Sequence, residues 1–275
     1  PAPLTARFVN LLYEWSRRRA LSPGFGLKRA CQMSQSSSHH IVSAYDDDLK
    51  FLTRKIAAMG GQAERMVDQS VTALIHADME LARRVVEEDA VLDEAQRMID
   101  DKTILIIARR QPLASDLREV IGAIRIASDL ERVGDLGKNV AKRTIAVRQG
   151  LDPASPFRGL RGLADLALTQ LKDVLDVYAS RSVEKLAAMR DRDEQIDAMY
   201  TSLFRELLTY MMEDPRNIAP CTHLLFCAKN IERIGDHATN IAEAIYYIVT
   251  GEQLPANRPK EDQSHRVAVA PRDPS

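Results

Sequence analysis

The sequence predicts an all-α protein of six long helices, arranged as two copies of one three-helix unit. Three observations support this fold class. Hydrophobic residues make up 45% of the chain and aromatic residues only 5%, which gives an aliphatic core that favours helices. The prolines leave long gaps in which helices can run without interruption. One acidic sequence block occurs twice in the chain.

The prolines and glycines set the bounds of each element in order. The expected helices span about 43–78, 80–111, 114–149, 158–180, 182–213 and 216–250. Three aspartates at 46–48 stand near the first start, where negative charge favours a helix N-terminus. Gly150 and Gly251 follow the third and sixth helices as stop signals.

The two ends of the chain differ from its centre in composition. Residues 1–40 are basic and then rich in Ser and His, and residues 252–275 contain four prolines. Both are predicted to be disordered, as an N-terminal extension and a C-terminal tail. The first three-helix repeat is assigned to residues 41–150 and the second to residues 151–251.

Charge and composition exclude several classes of function. The net charge is −1, so no bulk attraction to nucleic acid or to an anionic membrane is expected. The longest apolar run, about 104–108, is far short of the roughly 20 residues that span a bilayer. Three cysteines without Cys-x-x-Cys spacing indicate reduced thiols and a cytoplasmic protein.

The duplicated block carries acidic residues at a fixed spacing. Residues 130–139 read Leu-Glu-Arg-Val-Gly-Asp-Leu-Gly-Lys-Asn, and residues 231–240 read Ile-Glu-Arg-Ile-Gly-Asp-His-Ala-Thr-Asn, an offset of 101. One helix earlier, Asp89 and Asp93 recur as Asp193 and Asp197 at an offset of 104. Each half therefore contains an Asp-x-x-x-Asp helix followed by a Glu-x-x-x-Asp helix.

This spacing places the acidic residues on one face of each helix, because residues four apart on a helix are neighbours. The third helix of each half carries Glu131, Asp135 and Asn139, or their copies Glu232, Asp236 and Asn240. Like charges at this spacing repel, so they need an arginine, a lysine or a metal ion. Oxygen ligands suit Mg²⁺, Mn²⁺ or iron, and the Glu-x-x-His pairs of di-iron bundles are absent from the sequence.

The same block has a simpler interpretation, and it also contains two glycines. Carboxylates four apart are usually a solvated face with basic partners, and Arg132 and Arg233 are candidates for that role. Duplication of the whole block favours the metal site over this simpler interpretation. Gly134 and Gly235 lie in mid-helix, where glycine costs about 1 kcal/mol relative to alanine, which predicts close approach of a neighbouring helix.

The duplicated Glu-Arg-x-Gly-Asp block resembles the motif of the PhoU family, accessory proteins of phosphate transport. The stretches 40–46 (His-Ile-Val-Ser-Ala-Tyr-Asp), 112–118 (Pro-Leu-Ala-Ser-Asp-Leu-Arg) and 230–251 are also similar to that family, so the resemblance covers about residues 40–252. It implies two pseudo-symmetric antiparallel three-helix bundles that bind iron, manganese, magnesium or zinc. The implied ligands are Asp89, Asp93, Glu131, Asp135, Asp193, Asp197, Glu232 and Asp236, with Asn139 and Asn240 as further candidates.

The resemblance also implies a function. PhoU proteins restrain phosphate uptake and repress phosphate-starvation genes, as adaptors between the transporter ATPase subunit and a membrane sensor histidine kinase. A homodimer, and association with the membrane only through partners, are expected. Arg118 and the loop at Pro112 are the expected partner face. A non-enzymatic regulator is favoured over two alternatives: a two-metal phosphohydrolase and a metal-free helical scaffold.

Overall fold

The computed structural model of the chain describes residues 27–147 and 154–254, and every regular element in these ranges is helical. The helices are α1 (Leu27–His76), α2 (Met79–Arg110), α3 (Ala114–Val147), α4 (Ala154–Ser180), α5 (Ala187–Glu213) and α6 (Ile218–Thr250). Short 3₁₀ turns at Val183–Leu186 and Pro215–Asn217 precede α5 and α6. The predicted all-α class with six helices is confirmed for this part of the chain.

The helix bounds agree with the predicted ones to within a few residues, except at the start of α1. This helix begins at Leu27 rather than near residue 43, so residues 27–40 are helical and the prediction of disorder for them is corrected. No proline or glycine follows Gly26 before Gly60, so nothing in the Ser-rich stretch breaks the helix. The remainder of the predicted extension and tail, residues 1–26 and 255–275, lies outside the described residues.

Local capping fixes where several of these helices begin and end. The Asp78 carboxylate accepts hydrogen bonds from the backbone N–H groups of Glu80 and Leu81 at 3.0 and 2.9 Å, which caps the start of α2. Gln111 adopts a left-handed conformation at the end of α2, directly before Pro112. Gly251 ends α6 with φ +77°, a conformation that glycine adopts without the steric cost of a Cβ.

Among the described residues, those from Asp47 onward form one compact unit, and those up to Asp46 belong to a separate unit. Helices α2 to α6 lie within the larger unit. Among the helices from α2 onward, the most extensive contact is between α3 and α6, the third helices of the two repeats. They run antiparallel, since Arg125 lies against Tyr247 and Arg143 lies against His223 near the opposite ends.

The core around these helices is aliphatic, as the composition predicts. Ile126, Leu130, Ile231 and Ile234 are fully buried at the centres of α3 and α6. Burial of such side chains removes roughly 25 cal/mol of unfavourable hydration per Å² of apolar surface. The core therefore holds the acidic helices α2, α3, α5 and α6 at fixed positions beside one another.

The two mid-helix glycines mark equivalent close contacts in the two repeats. A Cβ at Gly134 would collide with the Leu92 side chain of α2, and a Cβ at Gly235 would lie 2.9 Å from Ile196 Cδ1 of α5. Leu92 and Ile196 are themselves related by the offset of 104. The predicted close approach of a neighbouring helix is confirmed, and it brings the acidic residues of each helix pair together.

Candidate functional site

The first carboxylate cluster consists of Asp89 and Asp93 on α2 with Glu131 and Asp135 on α3. The pKa of Glu131 is raised, first by burial and then by the charge of Asp135, with smaller contributions from the two α2 aspartates. Arg132 partly offsets this effect from the rim, 3.6 Å from Glu131 Oε2 and 3.7 Å from Asp135 Oδ2. The charges of the other three carboxyl groups therefore all act on Glu131.

A lysine side chain lies inside the first carboxylate cluster. The ammonium group of Lys138 donates hydrogen bonds to Asp89 on α2 and to Asp135 on its own helix. The Lys138 and Asp89 side chains are only 19% and 12% exposed. Burial opposes the charge of the ammonium, but the two hydrogen bonds outweigh it and raise the pKa of Lys138 to about 12. The structure thus supplies this cluster with an internal cation.

The second carboxylate cluster consists of Asp193 and Asp197 on α5 with Glu232 and Asp236 on α6. Glu232 is its most buried member, with a side chain 6% exposed. Burial raises the pKa of Glu232 to about 7, against the effect of Lys229, and the charges of Asp236 and Asp197 raise it further. Lys229 Nζ donates to Glu232 Oε1 at 2.8 Å, whereas the buried Glu232 Oε2 has no hydrogen-bond partner.

A neutral hydrogen-bonded chain enters the second carboxylate cluster where Lys138 enters the first. Gln170 Nε2 donates to Thr239 Oγ1 at 2.8 Å, and Thr239 Oγ1 donates to Asp193 Oδ1 at 3.0 Å. Thr239 stands 101 residues after Lys138, and Asp193 stands 104 residues after Asp89. Equivalent aspartates therefore receive an ammonium group in one repeat and a hydroxyl group in the other.

The remaining predicted site residues lie apart from these contacts. Asn139 is exposed on α3, and the Asn240 side-chain amide is directed to Asp129 of α3 at 3.5 Å. Arg118 is half-buried, with its guanidinium carbon 3.3 Å from the Cβ position of Gly251 at the end of α6. Leu113, in the loop just before Arg118, is 81% exposed.

The two clusters differ in the contacts of their carboxylates, and neither is assembled as a metal site in the described part of the chain. Across residues 27–147 and 154–254, no three His, Cys, Asp or Glu side chains stand close enough together to hold a metal ion. In the second carboxylate cluster, the buried Glu232 Oε2 has no hydrogen-bond partner. In the first, Lys138 pairs with two of the four carboxylates. Metal binding at the eight carboxylates stays a prediction.

Lys138 and a polar cavity where α3 and α6 cross were not predicted from the sequence. The cavity measures about 900 Å³, and its lining includes Arg125, Asp129, Glu243 and Tyr247. Asp129 beside it pairs with His237 Nδ1 at 2.8 Å. Lys138 could have been found from its position three residues after Asp135, a spacing at which helical side chains meet. The Asp129–His237 pair joins residues 108 apart and has no local signal.

Comparison with known proteins follows the same repeat. A family model described as the PhoU domain matches residues 56–144 and again residues 160–245. The chain belongs to the PhoU family. It is 66% identical over 228 residues to the phosphate-specific transport system accessory protein PhoU homolog of Rhizobium meliloti (strain 1021), covering 83% of this chain and 96% of that protein. The homolog from Caulobacter vibrioides (strain NA1000 / CB15N) is 46% identical, with 82% and 98% covered.

Two solved structures share the PhoU fold of this chain. The crystal structure of PhoU from Pseudomonas aeruginosa aligns with a TM-score of 0.72 at 36% identity, covering 76% of this chain and all of that one. The phosphate transport system regulatory protein PhoU from Streptococcus pneumoniae aligns with a TM-score of 0.70 at 28% identity, covering 76% and 99%. Within the part of this PhoU chain that is described, no helix is apolar enough over a sufficient length to cross a membrane.

Proposed function

We propose that this chain is a negative regulator of phosphate uptake and of the phosphate-starvation response. The observation that carries the proposal is the match of both repeats to the PhoU domain, together with relatives that are named accessory proteins of phosphate-specific transport. Those relatives are named as accessory or regulatory proteins, which supports a non-enzymatic role. The chain would act by binding other proteins rather than by turning over a substrate.

The proposed partners are the ATPase subunit of a phosphate transporter and a membrane sensor histidine kinase. An adaptor needs exposed surface that is free of the core, and the loop before α3 offers such surface. Leu113 there is 81% exposed, and Leu117 and Arg118 follow on the first turn of α3. Under this proposal the protein is a cytoplasmic homodimer that reaches the membrane only through its partners.

A bound metal ion is the third part of the proposal. Iron, manganese, magnesium or zinc would neutralise the mutual repulsion of the carboxylates and so tie an acidic helix pair together. The feature that supports this is the second carboxylate cluster, where Glu232 Oε2 is buried without a hydrogen-bond partner. A buried charged oxygen without a partner costs folding free energy, and a cation would offset that cost.

A phosphate-starvation reporter tests the regulatory role. Cells grown in high phosphate are depleted of this protein, and alkaline phosphatase activity and phosphate uptake are measured. Both are expected to rise on depletion and to return when the protein is restored. Unchanged reporter activity and unchanged uptake would show that the fold serves another task in this organism.

Elemental analysis after mild purification tests the metal. We expect a divalent or ferric ion in the wild type and its loss in a variant that carries Glu131→Ala, Asp135→Ala, Glu232→Ala and Asp236→Ala together. A wild-type protein that holds no metal and takes up no added Mn²⁺, Mg²⁺ or iron would contradict the metal site. The regulatory role would be unaffected by that result.

A metal-free scaffold is a second candidate, and one observation favours it in the first repeat. Lys138 pairs with Asp89 and Asp135, so two of the four carboxylates in that cluster already share a cationic partner. An enzyme of the phosphohydrolase type has no such observation in its favour. Turnover of a generic phosphate ester that is lost on Glu131→Ala would establish it instead.

A further inference from the structure

We propose that a basic hollow between α1, α3 and α4 binds a small oxyanion of the phosphate type. The hollow measures about 380 Å³. Its lining consists of Leu49, Lys50, Thr53, Arg54, Glu119 and Arg181. None of these residues belongs to either carboxylate cluster or to the duplicated block. The inference goes beyond the proposed function, because it requires neither a metal ion nor a partner protein.

The charge of the lining is the first argument. Lys50, Arg54 and Arg181 are cationic, and Glu119 is the one carboxylate among the lining residues. Asp48, on the same helix as Lys50, lies outside the lining and pairs with two basic residues of α2. The hollow therefore has an excess of two positive charges, which a phosphate dianion would balance through charge-assisted hydrogen bonds.

The fixed position of Arg181 is the second argument. Its guanidinium carbon lies 4.8 Å from the centre of the Tyr178 ring, and Nη2 donates to Glu119 Oε1 of α3. A guanidinium held at two points loses little side-chain entropy on binding an anion, and its planar fork has further N–H donors. Burial raises the pKa of the Tyr178 hydroxyl to about 12, so this neighbouring group stays neutral and adds no negative charge.

The pair of cations on α1 is the third argument. Lys50 and Arg54 are exposed and stand four residues apart, so they share one face of the helix. Neither forms an ion pair with a carboxylate in the described part of the chain, and Arg54 Nε donates to the Lys50 carbonyl oxygen at 3.2 Å instead. Like charges at this spacing repel each other, and an anion bound beside them would relieve the repulsion.

The equivalent positions of the two repeats show that this charge is not a general feature of the fold. Arg181 corresponds to Ala77 at the offset of 104, and the two residues follow the last residues of α4 and α1 in the left-handed conformation, with φ +58° and +53°. Lys50 likewise corresponds to Ala154. The backbone conformation is therefore common to both repeats, whereas two of the three cations of the hollow have alanine as their counterpart.

Binding of inorganic phosphate to the full chain tests the inference. Equilibrium dialysis with radiolabelled phosphate is carried out in chloride buffer with a chelator, so that no metal ion can bridge phosphate to the carboxylate clusters. The wild type is expected to bind one phosphate per chain at millimolar concentration, and sulfate should compete for the site. Arg181→Ala, which copies the residue of the first repeat, should weaken phosphate binding about tenfold or more.

Variants at exposed positions keep the test available even if Arg181→Ala does not fold. Lys50→Gln combined with Arg54→Gln should also weaken phosphate binding about tenfold. Arg158→Gln is the matched control, because Arg158 is exposed and corresponds to Arg54 at the offset of 104. The cation beside it, Arg161, is already paired with two aspartates, so this control should bind phosphate as the wild type does.

A phosphate ester distinguishes the two sources of such a group. Equal competition by glycerol 3-phosphate and by unlabelled phosphate would assign the hollow to phosphate monoesters, and no competition by the ester would assign it to the free ion; both results support an oxyanion site. No phosphate binding by the wild type, or equal losses in Arg158→Gln and in the Lys50→Gln/Arg54→Gln variant, would overturn it. The proposed regulatory and metal-binding roles would be unaffected, since the reporter assay and the elemental analysis test them separately.

Discussion

The first and second carboxylate clusters descend from one motif yet balance their charges in different ways. In the first, Lys138 pairs with two aspartates, and Arg132 adds a weaker contact at the rim. In the second, Thr239 and Gln170 supply neutral hydrogen bonds, and Glu232 keeps one buried oxygen without a hydrogen-bond partner. Acidic spacing alone therefore does not define the chemistry of a cluster, because the residue one turn away is a lysine in one repeat and a threonine in the other.

The difference extends to the helix behind each cluster. Met66 of α1 packs near Gly134 in the first repeat, and Gln170 of α4 takes the corresponding place near Gly235 in the second. Methionine offers only packing there, whereas the Gln170 amide holds the hydroxyl of Thr239. The two repeats thus differ at two neighbouring positions: the first has a methionine and a lysine, and the second has a glutamine and a threonine.

The largest effect is expected from the pH dependence of Glu232. Its folded-state pKa of about 7 is above its ordinary value of 4.5, so the folded protein binds this proton more tightly than the unfolded chain. Stability is therefore greatest below pH 4.5 with respect to this group, and it falls as the pH rises toward 7. In the metal-free wild type, the free energy of unfolding should fall by about 3 kcal/mol between pH 4.5 and pH 8 because of this group. Urea denaturation of Glu232→Gln should show no such decrease.

Glu131, the corresponding residue of the first repeat, provides a comparison for the Glu232 measurement. Burial also raises the pKa of Glu131, so Glu131→Gln should shift the pH dependence in the same direction. The effect should be smaller, because the Glu131 side chain is 17% exposed and Arg132 lies 3.6 Å away. A larger effect at Glu131 than at Glu232 would contradict the contrast between the clusters.

An intermediate effect on the free energy of unfolding is expected when Lys138 or Thr239 is replaced by an apolar residue in metal-free protein. Lys138→Met should destabilise the fold by about 2 kcal/mol, because it leaves Asp89 and Asp135 close together without their shared cation. Thr239→Val keeps the shape and loses one neutral donor to Asp193, which should cost about 1 kcal/mol. Both values come from urea denaturation in the presence of a chelator.

A double-mutant cycle checks the cause of the Lys138 effect. Asp89→Asn removes one of the two paired charges, so Lys138→Met should cost less in that background than in the wild type. The exposed Lys142→Met should change stability by less than about 0.5 kcal/mol. Equal costs in the two backgrounds would mean that Lys138 acts through packing of its methylene stem.

The smallest effect is expected at the helix contacts. Gly134→Ala and Gly235→Ala gain about 1 kcal/mol of helix propensity but force Leu92 and Ile196 out of a packed core. We expect a net destabilisation of about 1 kcal/mol at Gly134 and less at Gly235, where the collision is milder. Gly61→Ala meets only Arg65 at 3.6 Å and should stabilise the protein, as thermal denaturation would show.

The helices could be predicted from the sequence because their ends carry local signals. Pro112 and Pro215 interrupt the chain between acidic helices, and Gly251 stops the last one. The start of α1 could not be placed, since Ser and His composition does not distinguish a disordered tail from a helix. The faces on which the acidic residues lie were predictable because spacing along one helix is a local property.

The charge balance of the clusters could not be predicted in the same way. Arg132 was predicted from the sequence as a partner and Lys138 was not, and packing decides between them: Lys138 is enclosed, while the Arg132 side chain is 60% exposed. The Asp129–His237 pair depends on how α3 crosses α6, which no local pattern contains. Tertiary contacts, rather than spacing, therefore determine which charges neutralise one another.

The antiparallel crossing of α3 and α6 has a consequence for how such a chain could arise. The two helices are copies of one sequence, so their contact is of the kind that two identical chains form about a twofold axis. One repeat expressed alone would expose the apolar face of its third helix, which fits its own duplicate. Joining the two repeats in one chain makes that pairing intramolecular, and each copy was then free to acquire a different residue beside its carboxylates.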